Sequence, residues 1–217
     1  VPDRCVPLST LRRLPKTGHG DFALQEGKLR SFGNRPSNSI GPGRQRVGSG
    51  KSLEYCDLTD VGRRRSNNQD SKAVLDAWNA EQYRSRGWLF LVADGMGAHA
   101  AGEMASDLAA KSVPLIYEKL ATRSPPLALR TSIQQANAEI HARGESAVDL
   151  RGMGTTCTAL VIGQRGALVG HVGDSRAYRV RGGKIEQLTA DHSLAWEVEA
   201  QRAKSPDANP ANAPHVP

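Results

Sequence analysis

Cysteine is scarce in this chain of 217 residues: Cys5, Cys56 and Cys157 are far apart and odd in number. They make neither a disulfide framework nor a paired zinc spacing, which fits a reducing compartment and predicts a cytoplasmic location. Long hydrophobic runs are missing too. No apolar stretch approaches the roughly 18 residues of a membrane-spanning helix, and none near the N-terminus makes the core of a secretion signal. Acidic residues are few at the start: residues 1–51 hold three Asp/Glu against ten Lys/Arg, a net of +7. Residues 52–217 hold nineteen of each. The pI of 9.6 therefore belongs to the N-terminal segment. A basic enzyme body built to attract nucleic acid is excluded.

Glycine-rich phosphate loops are absent as well. Gly48-Ser49-Gly50-Lys51-Ser52 imitates the end of a P-loop, but Gln45 occupies the first glycine position and no strand is predicted before it. Gly97 and Gly102 have the required gap, yet Glu103 replaces the lysine, and Gly95-Met96-Gly97 lacks the third glycine of a dinucleotide fingerprint. Ser175, in Gly173-Asp174-Ser175, has no base obviously placed to activate it; Asp191 and His192 do not supply an esterase arrangement. Residues 1–51 are rich in Gly, Pro, Ser and Asn without periodicity, and are expected to form a disordered basic leader. The body is expected over 52–217. A hydrophobic content of 38% and a mean hydropathy of −0.48 are compatible with a soluble protein.

What is present is a pair of strand tips. The apolar run Trp88-Leu89-Phe90-Leu91-Val92-Ala93 ends on Asp94, followed by Gly95 and Gly97. Its length and its branched and aromatic content read as a buried strand. A carboxylate at such a tip, followed by glycine, can hold a hard cation, because glycine lets backbone carbonyls come close. The same pattern also describes ordinary turns. A second apolar run, residues 167–172, leads into Gly173-Asp174-Ser175-Arg176. Upstream, Arg65 precedes Asp70 by five residues. Between them lies Gly152-Met153-Gly154-Thr155-Thr156, and after them Leu188-Thr189-Ala190-Asp191-His192-Ser193.

Further elements follow from periodicity. Short strands are predicted over 53–58 and 72–75, and others over 88–93, 155–162, 167–172, 177–180 and 185–188, the last two joined by a hairpin turn at 181–184. A helix starting at Ala101 should present Ala101, Met104, Leu108 and Leu115 on one side, with Pro114 kinking or dividing it. A second helix over 127–143 repeats Leu129, Ile133, Ala136 and Ile140. Helices grouped between runs of strands argue for an α+β class.

In order and spacing, the five segments resemble the metal-dependent protein phosphatases, the PPM or type 2C serine/threonine phosphatases. The bacterial branch is the nearer match, with Met96 where eukaryotic members usually carry histidine. The resemblance covers residues 53–195. It implies a two-sheet antiparallel β-sandwich flanked by helices on both sides, with metals at one edge. It implies hydrolysis of phosphoserine and phosphothreonine in proteins by a metal-activated water, using two Mg²⁺ or Mn²⁺ ions and a third, weaker one.

Carried onto this chain, the resemblance makes Asp94 the bridging carboxylate, the Gly95 carbonyl a metal ligand and Asp70 the acid that orients metal-bound water. Asp174 becomes the ligand of the additional metal, or else a carboxylate bonded to turn amides or paired with Arg176. Arg65 is the candidate phosphate clamp, since guanidinium offers a planar fork to two phosphate oxygens. Its alternative is a solvated basic loop shared with Arg63 and Arg64. Gln69 is neutral where many members have Glu. His99 reads as an acid by residue type or as a helix-entry histidine, and Met96 cannot transfer a proton. Asp191 and His192 read as the start of a flap or as makers of structural hydrogen bonds.

The chain starts at Val1 and ends in a Pro/Ala/Asn-rich stretch, whereas family members run on for about another hundred residues with further metal ligands. The 217 residues alone are therefore expected to be inactive. The competing reading is a catalytically incomplete fragment or pseudophosphatase that binds phosphoproteins. Expected partners are phosphorylated proteins, as substrates of Ser/Thr kinases or the kinases themselves, with the chain a monomer that engages neither nucleic acid nor membrane.

Overall fold

The computed structural model describes residues 12–13, 21–25, 43–47, 51–63, 67–97 and 100–192. Strands β1 (Arg12–Arg13), β2 (Asp21–Gln25) and β3 (Gly43–Val47) precede β4 (Lys51–Tyr55), β5 (Asp70–Leu75), α1 (Ala80–Ser85) and β6 (Trp88–Met96). Helices α2 (Ala101–Lys119) and α3 (Pro125–Ser146) follow, then a 3-10 turn at Val148–Leu150. The chain continues through β7 (Gly154–Thr155), β8 (Cys157–Gly163), β9 (Gly166–Val172), β10 (Arg176–Arg181) and β11 (Lys184–Gln187). The main sheet runs β1-β9-β8-β6-β5, with β7 also paired to β6; a second sheet runs β11-β10-β2, and β3 pairs with β4. Every pairing is antiparallel. The α+β expectation holds.

The two faces of β6 divide the core. Leu89, Leu91 and Ala93 point to the helices and are at most 2% exposed. Phe90 points the other way, where it joins Leu160, Val169, Ala177 and Leu188. This second cluster glues the β10 sheet to the main one, which makes the sandwich. Tyr55 closes it with rings edge-on to Trp88 and Phe90 at 6.1 and 5.3 Å. Among the described residues α2 and α3 cover the main sheet.

Several expectations need correction. Helix α2 buries Ala101, Ala105, Ala109, Val113 and Tyr117, spaced by four. Met104 and Leu108 only flank that stripe, and Leu115 is exposed. Small side chains win because α2 lies close on β5 and β6, where Ser106 reaches the Ser71 hydroxyl at 2.9 Å. Of the two outcomes expected at Pro114, division does not occur: the helix runs through it unbroken. Val113 and Tyr117 anchor it on either side, and the Tyr117 hydroxyl donates to the Arg86 carbonyl at 2.6 Å. The missing proline N–H costs one bond, and buried packing on both sides offsets it.

The third correction concerns the leader. Residues 12–13, 21–25 and 43–47 are strands within a segment read as lacking regular structure. The first two add to sheet edges and the third pairs with β4 in a two-stranded sheet; such pairing is made by backbone groups and needs no side-chain periodicity. The strand expected over 53–58 also ends earlier, at Tyr55. Asp57 beyond it pairs with Lys72 of β5. By contrast α3 buries Leu129, Ile133, Ala136 and Ile140 as the repeat predicts. A Cβ on Gly170 would lie 2.8 Å from Leu129 Cδ2, so glycine lets α3 seat on β9.

Candidate functional site

Asp70 opens β5 and Asp94 stands near the end of β6, and the two are direct partners across the antiparallel ladder. Directly opposed residues share a face, with Cβ atoms about 4.5–5.5 Å apart. The face is the one away from α2, since Ala93 and Leu91 occupy the helix side. The tip is fixed from that side. The Gly95 amide donates to the Gln69 carbonyl at 3.0 Å. A Cβ on Gly95 would lie 2.0 Å from the Gly102 carbonyl oxygen and 2.6 Å from that of Gln69. Glycine at 95 is therefore required by the close seating of the first turn of α2. Gly102 is packed in turn against the Gln69 side chain, with 3.0 Å from its would-be Cβ to Gln69 Cδ. Gln69 thus has a packing role that needs no charge.

A second anchor comes from Thr155 and Thr156, whose motif the sequence displayed without a role. The Asp94 amide donates to Thr156 Oγ1 at 2.9 Å, and the Asp94 carbonyl accepts from the Thr156 amide at 2.9 Å and from Thr155 Oγ1 at 3.0 Å. Thr156 Oγ1 also meets Ser175 Oγ at 2.8 Å. One buried hydroxyl thereby ties the Asp94 tip to the turn that bears Asp174. Gly173 opens that turn with φ +105°, and a Cβ there would lie 2.6 Å from Thr156 Cγ2.

Asp174 is exposed and makes no hydrogen bond or ion pair with the described residues. The alternative pairing with Arg176 does not form. Arg176 instead forks onto Asp191, Nε to Oδ1 at 2.8 Å and Nη2 to Oδ2 at 2.5 Å. That contact holds the Asp191 carboxyl below the usual carboxylate range. His192 donates its amide to the Gly173 carbonyl at 2.8 Å and accepts the Gly173 amide on Nδ1 at 3.3 Å. Structural hydrogen bonds are therefore what Asp191 and His192 make.

His171 is buried and bridges Thr158 Oγ1 at 2.8 Å and the Ala190 carbonyl at 3.1 Å. The carbonyl can only accept, so Nε2 carries the proton and Nδ1 accepts from the threonine. Burial, helped by the neighbouring His192, lowers the His171 pKa. Burial also pushes the Cys157 thiol up to about 12, so it is no nucleophile.

The site residues are thus brought together in part. Asp70 and Asp94 are face to face, and Asp174 sits one hydroxyl relay away. Among the described residues no three His, Cys, Asp or Glu side chains form a group able to hold a metal ion. Arg65 and His99 lie outside the described residues. The pair that is present suits a hard cation. Its donors are oxygens on directly opposed residues of one ladder, the ligand type that hard cations take.

A family model described as Protein phosphatase 2C matches residues 62–211. The serine/threonine phosphatase Stp of Listeria monocytogenes is 37% identical over 144 residues, covering 64% of this chain and 55% of that protein. The protein phosphatase PhpP of Streptococcus pneumoniae is 36% identical over 149 residues, 67% of this chain and 58% of its own length. The chain spans about half the length of these curated relatives. Among solved structures, the S. agalactiae serine/threonine phosphatase superposes with a TM-score of 0.55 at 34% identity, over 72% of this chain and 63% of that one. Stp1 from Staphylococcus aureus superposes with a TM-score of 0.53 at 27% identity, over 71% and 58%.

Proposed function

We propose, for a chain that belongs to the protein phosphatase 2C family, that it hydrolyses phosphoserine and phosphothreonine esters in proteins with the help of divalent metal. The observation that carries this reading is the register pairing of Asp70 with Asp94. Two carboxylates set opposite one another at a strand end offer the oxygen donors that a hard cation takes. The names of the relatives, serine/threonine phosphatases from several bacteria, support the substrate class.

In this reading Asp94 and the Gly95 carbonyl would hold Mg²⁺ or Mn²⁺, Asp174 would hold a further, weaker ion, Asp70 would orient the water nucleophile and Arg65 would grip the phosphoryl oxygens. Bound divalent metal supplies an acidified water and positive charge for the phosphoryl group. The chain's own part is to hold the carboxylates in place, through Gly95 against α2 and through Thr156. Substrates are phosphorylated proteins, including those of Ser/Thr kinases or the kinases themselves, met by a monomer in the cytoplasm. Among the described residues no helix is long and apolar enough to cross a membrane.

One observation favours a second reading, a module that binds phosphoproteins without turnover: no described group offers three ligand side chains. The experiment that decides uses this chain extended to the length of the Listeria relative. Hydrolysis of a phosphothreonine peptide in Mn²⁺ or Mg²⁺, lost in EDTA and in Asp94→Asn, is expected. Peptide binding with no turnover under any metal would favour the module, and full turnover in EDTA would rule out metal chemistry.

A further inference from the structure

The turn that presents Asp174 is held from outside by a continuous strip of chain, residues 188–192. Leu188 donates its amide to the Ala177 carbonyl at 2.8 Å, and the Thr189 hydroxyl accepts the Ala177 amide at 3.1 Å. The Ala190 carbonyl caps buried His171 at 3.1 Å. Asp191 takes the Arg176 fork, and His192 exchanges two bonds with Gly173, at 2.8 and 3.3 Å. From beneath, Thr156 fills the space under Gly173 and bonds Ser175. The strip thus contacts the chain at several points between 171 and 177. The Asp174 carboxylate takes no part in these bonds.

We propose that His192 and the Arg176–Asp191 pair are positioning residues, which clasp the Gly173–Ser175 backbone so that the Asp174 carboxylate is presented in a fixed place for a divalent cation. The inference rests on Asp174 being a metal ligand. Its physical content is preorganisation. The turn begins at a glycine with φ +105°, a conformation glycine itself does not favour over others, so an unclasped turn would wander. A ligand on a wandering turn binds metal more weakly, because the ordering cost falls on the binding step. The ring of His192 fits this role, because its Nδ1 accepts the Gly173 amide and so fixes the first residue of the turn.

Mn²⁺ affinity measured by water-proton relaxation, together with amide exchange at Gly173, tests this in the 217-residue chain. Asp174→Asn should weaken Mn²⁺ binding. His192→Ala should weaken it roughly three- to tenfold, the worth of one or two hydrogen bonds, and speed Gly173 exchange by about tenfold or more. His192→Asn, whose side-chain oxygen can accept the same amide, should recover much of both. Arg176→Lys keeps the charge but loses the fork, and should act in the same direction if the alanine variant folds poorly. In an Asp174→Asn background His192→Ala should still speed exchange yet no longer change Mn²⁺ affinity. Unchanged Gly173 exchange in both His192→Ala and Arg176→Lys would overturn the clasp. Unchanged Mn²⁺ affinity in Asp174→Asn would instead overturn the ligand role on which it rests, so the two failures appear in different variants. An equal loss of affinity from His192→Ala with or without Asp174 would show a general structural effect and also sink the proposal.

Discussion

Replacing Thr156 by valine removes one oxygen atom and should disturb the site more than any other change of that size. The side chain is 2% exposed, and valine keeps its volume and the methyl group under Gly173. What is lost is the acceptor for the Asp94 amide at 2.9 Å and the partner of Ser175 Oγ at 2.8 Å. The Asp94 amide is part-buried, and such a donor left without an acceptor costs about 1–3 kcal/mol. Ser175 is half-buried and can turn to water, so its loss adds little. The expected destabilisation is about 2 kcal/mol, or a fall in Tm of about 4–8 °C for a body of this size. Thr156→Ser is the control. It keeps both hydrogen bonds and loses only a methyl group, which should cost about 0.5–1.5 kcal/mol. Urea denaturation of the three chains, with Mn²⁺ titrations alongside, gives the comparison. A valine variant as stable as the serine variant would show that the hydroxyl relay between Asp94 and Ser175 contributes nothing, and the linked account of the two turns would be wrong.

Asp94→Asn should raise stability in EDTA by about 0.5 kcal/mol, by relieving the opposed pair, and should abolish the Tm increase given by Mn²⁺ in the parent; a drop in EDTA would mean Asp94 is a structural carboxylate. Gly95→Ala should cost more than about 3 kcal/mol, because its Cβ would sit 2.0 Å from a backbone oxygen that belongs to a packed helix; wild-type stability would contradict the close seating of α2. Burial places His171 below the ordinary value of 6.5, so the folded state disfavours its protonation. The stability it contributes is full above pH 6.5 and is lost as pH falls below that, and His171→Asn should flatten the slope of stability between about pH 7 and 5. Arg65→Ala in the extended chain should lower kcat/KM roughly ten- to hundredfold, by loss of a charged phosphate contact worth about 1.5–3 kcal/mol, with Arg63→Ala and Arg64→Ala mild; equal losses at all three would point to general electrostatics.

How much of the fold was legible in the sequence divides by physical cause. Strand β6 and helix α3 were legible because their apolar residues follow one period with nothing competing. Helix α2 was misread for a definite reason. Hydrophobic periodicity weights large side chains, so Met104, Leu108 and Leu115 drew the stripe to the wrong side. The contact with the sheet selects small residues instead, and Ala101, Ala105 and Ala109 carry it. Asp70 and Asp94 were named singly, and their opposition is a matter of register between two strands, which one strand's sequence does not state. The threonines of 155–156 and the partner of Arg176 were missed likewise. Arg176 has two acidic candidates, Asp174 and Asp191, and only the fold of residues 188–192 selects the latter. A usable signal was there: Thr156 follows a Gly-rich turn and stands at the entry to an apolar strand, where a hydroxyl must find a partner if it is buried.

Asp94 and Asp174 are each held by something that carries no negative charge: Gly95 seated on α2 and the Thr156 hydroxyl for the first, the ring of His192 for the second. Arg176, the cation of the clasp, is spent on Asp191 rather than on Asp174. Had Arg176 paired with Asp174, the turn would be neutralised and a divalent cation would have to displace a guanidinium. Pairing it instead with a residue of the outer strip leaves Asp94 and Asp174 carrying their charge into the same neighbourhood, linked through Thr156. In the proposed reading these carboxylates would meet a hard cation on supports already ordered, so that less of the ordering cost would fall on the binding step.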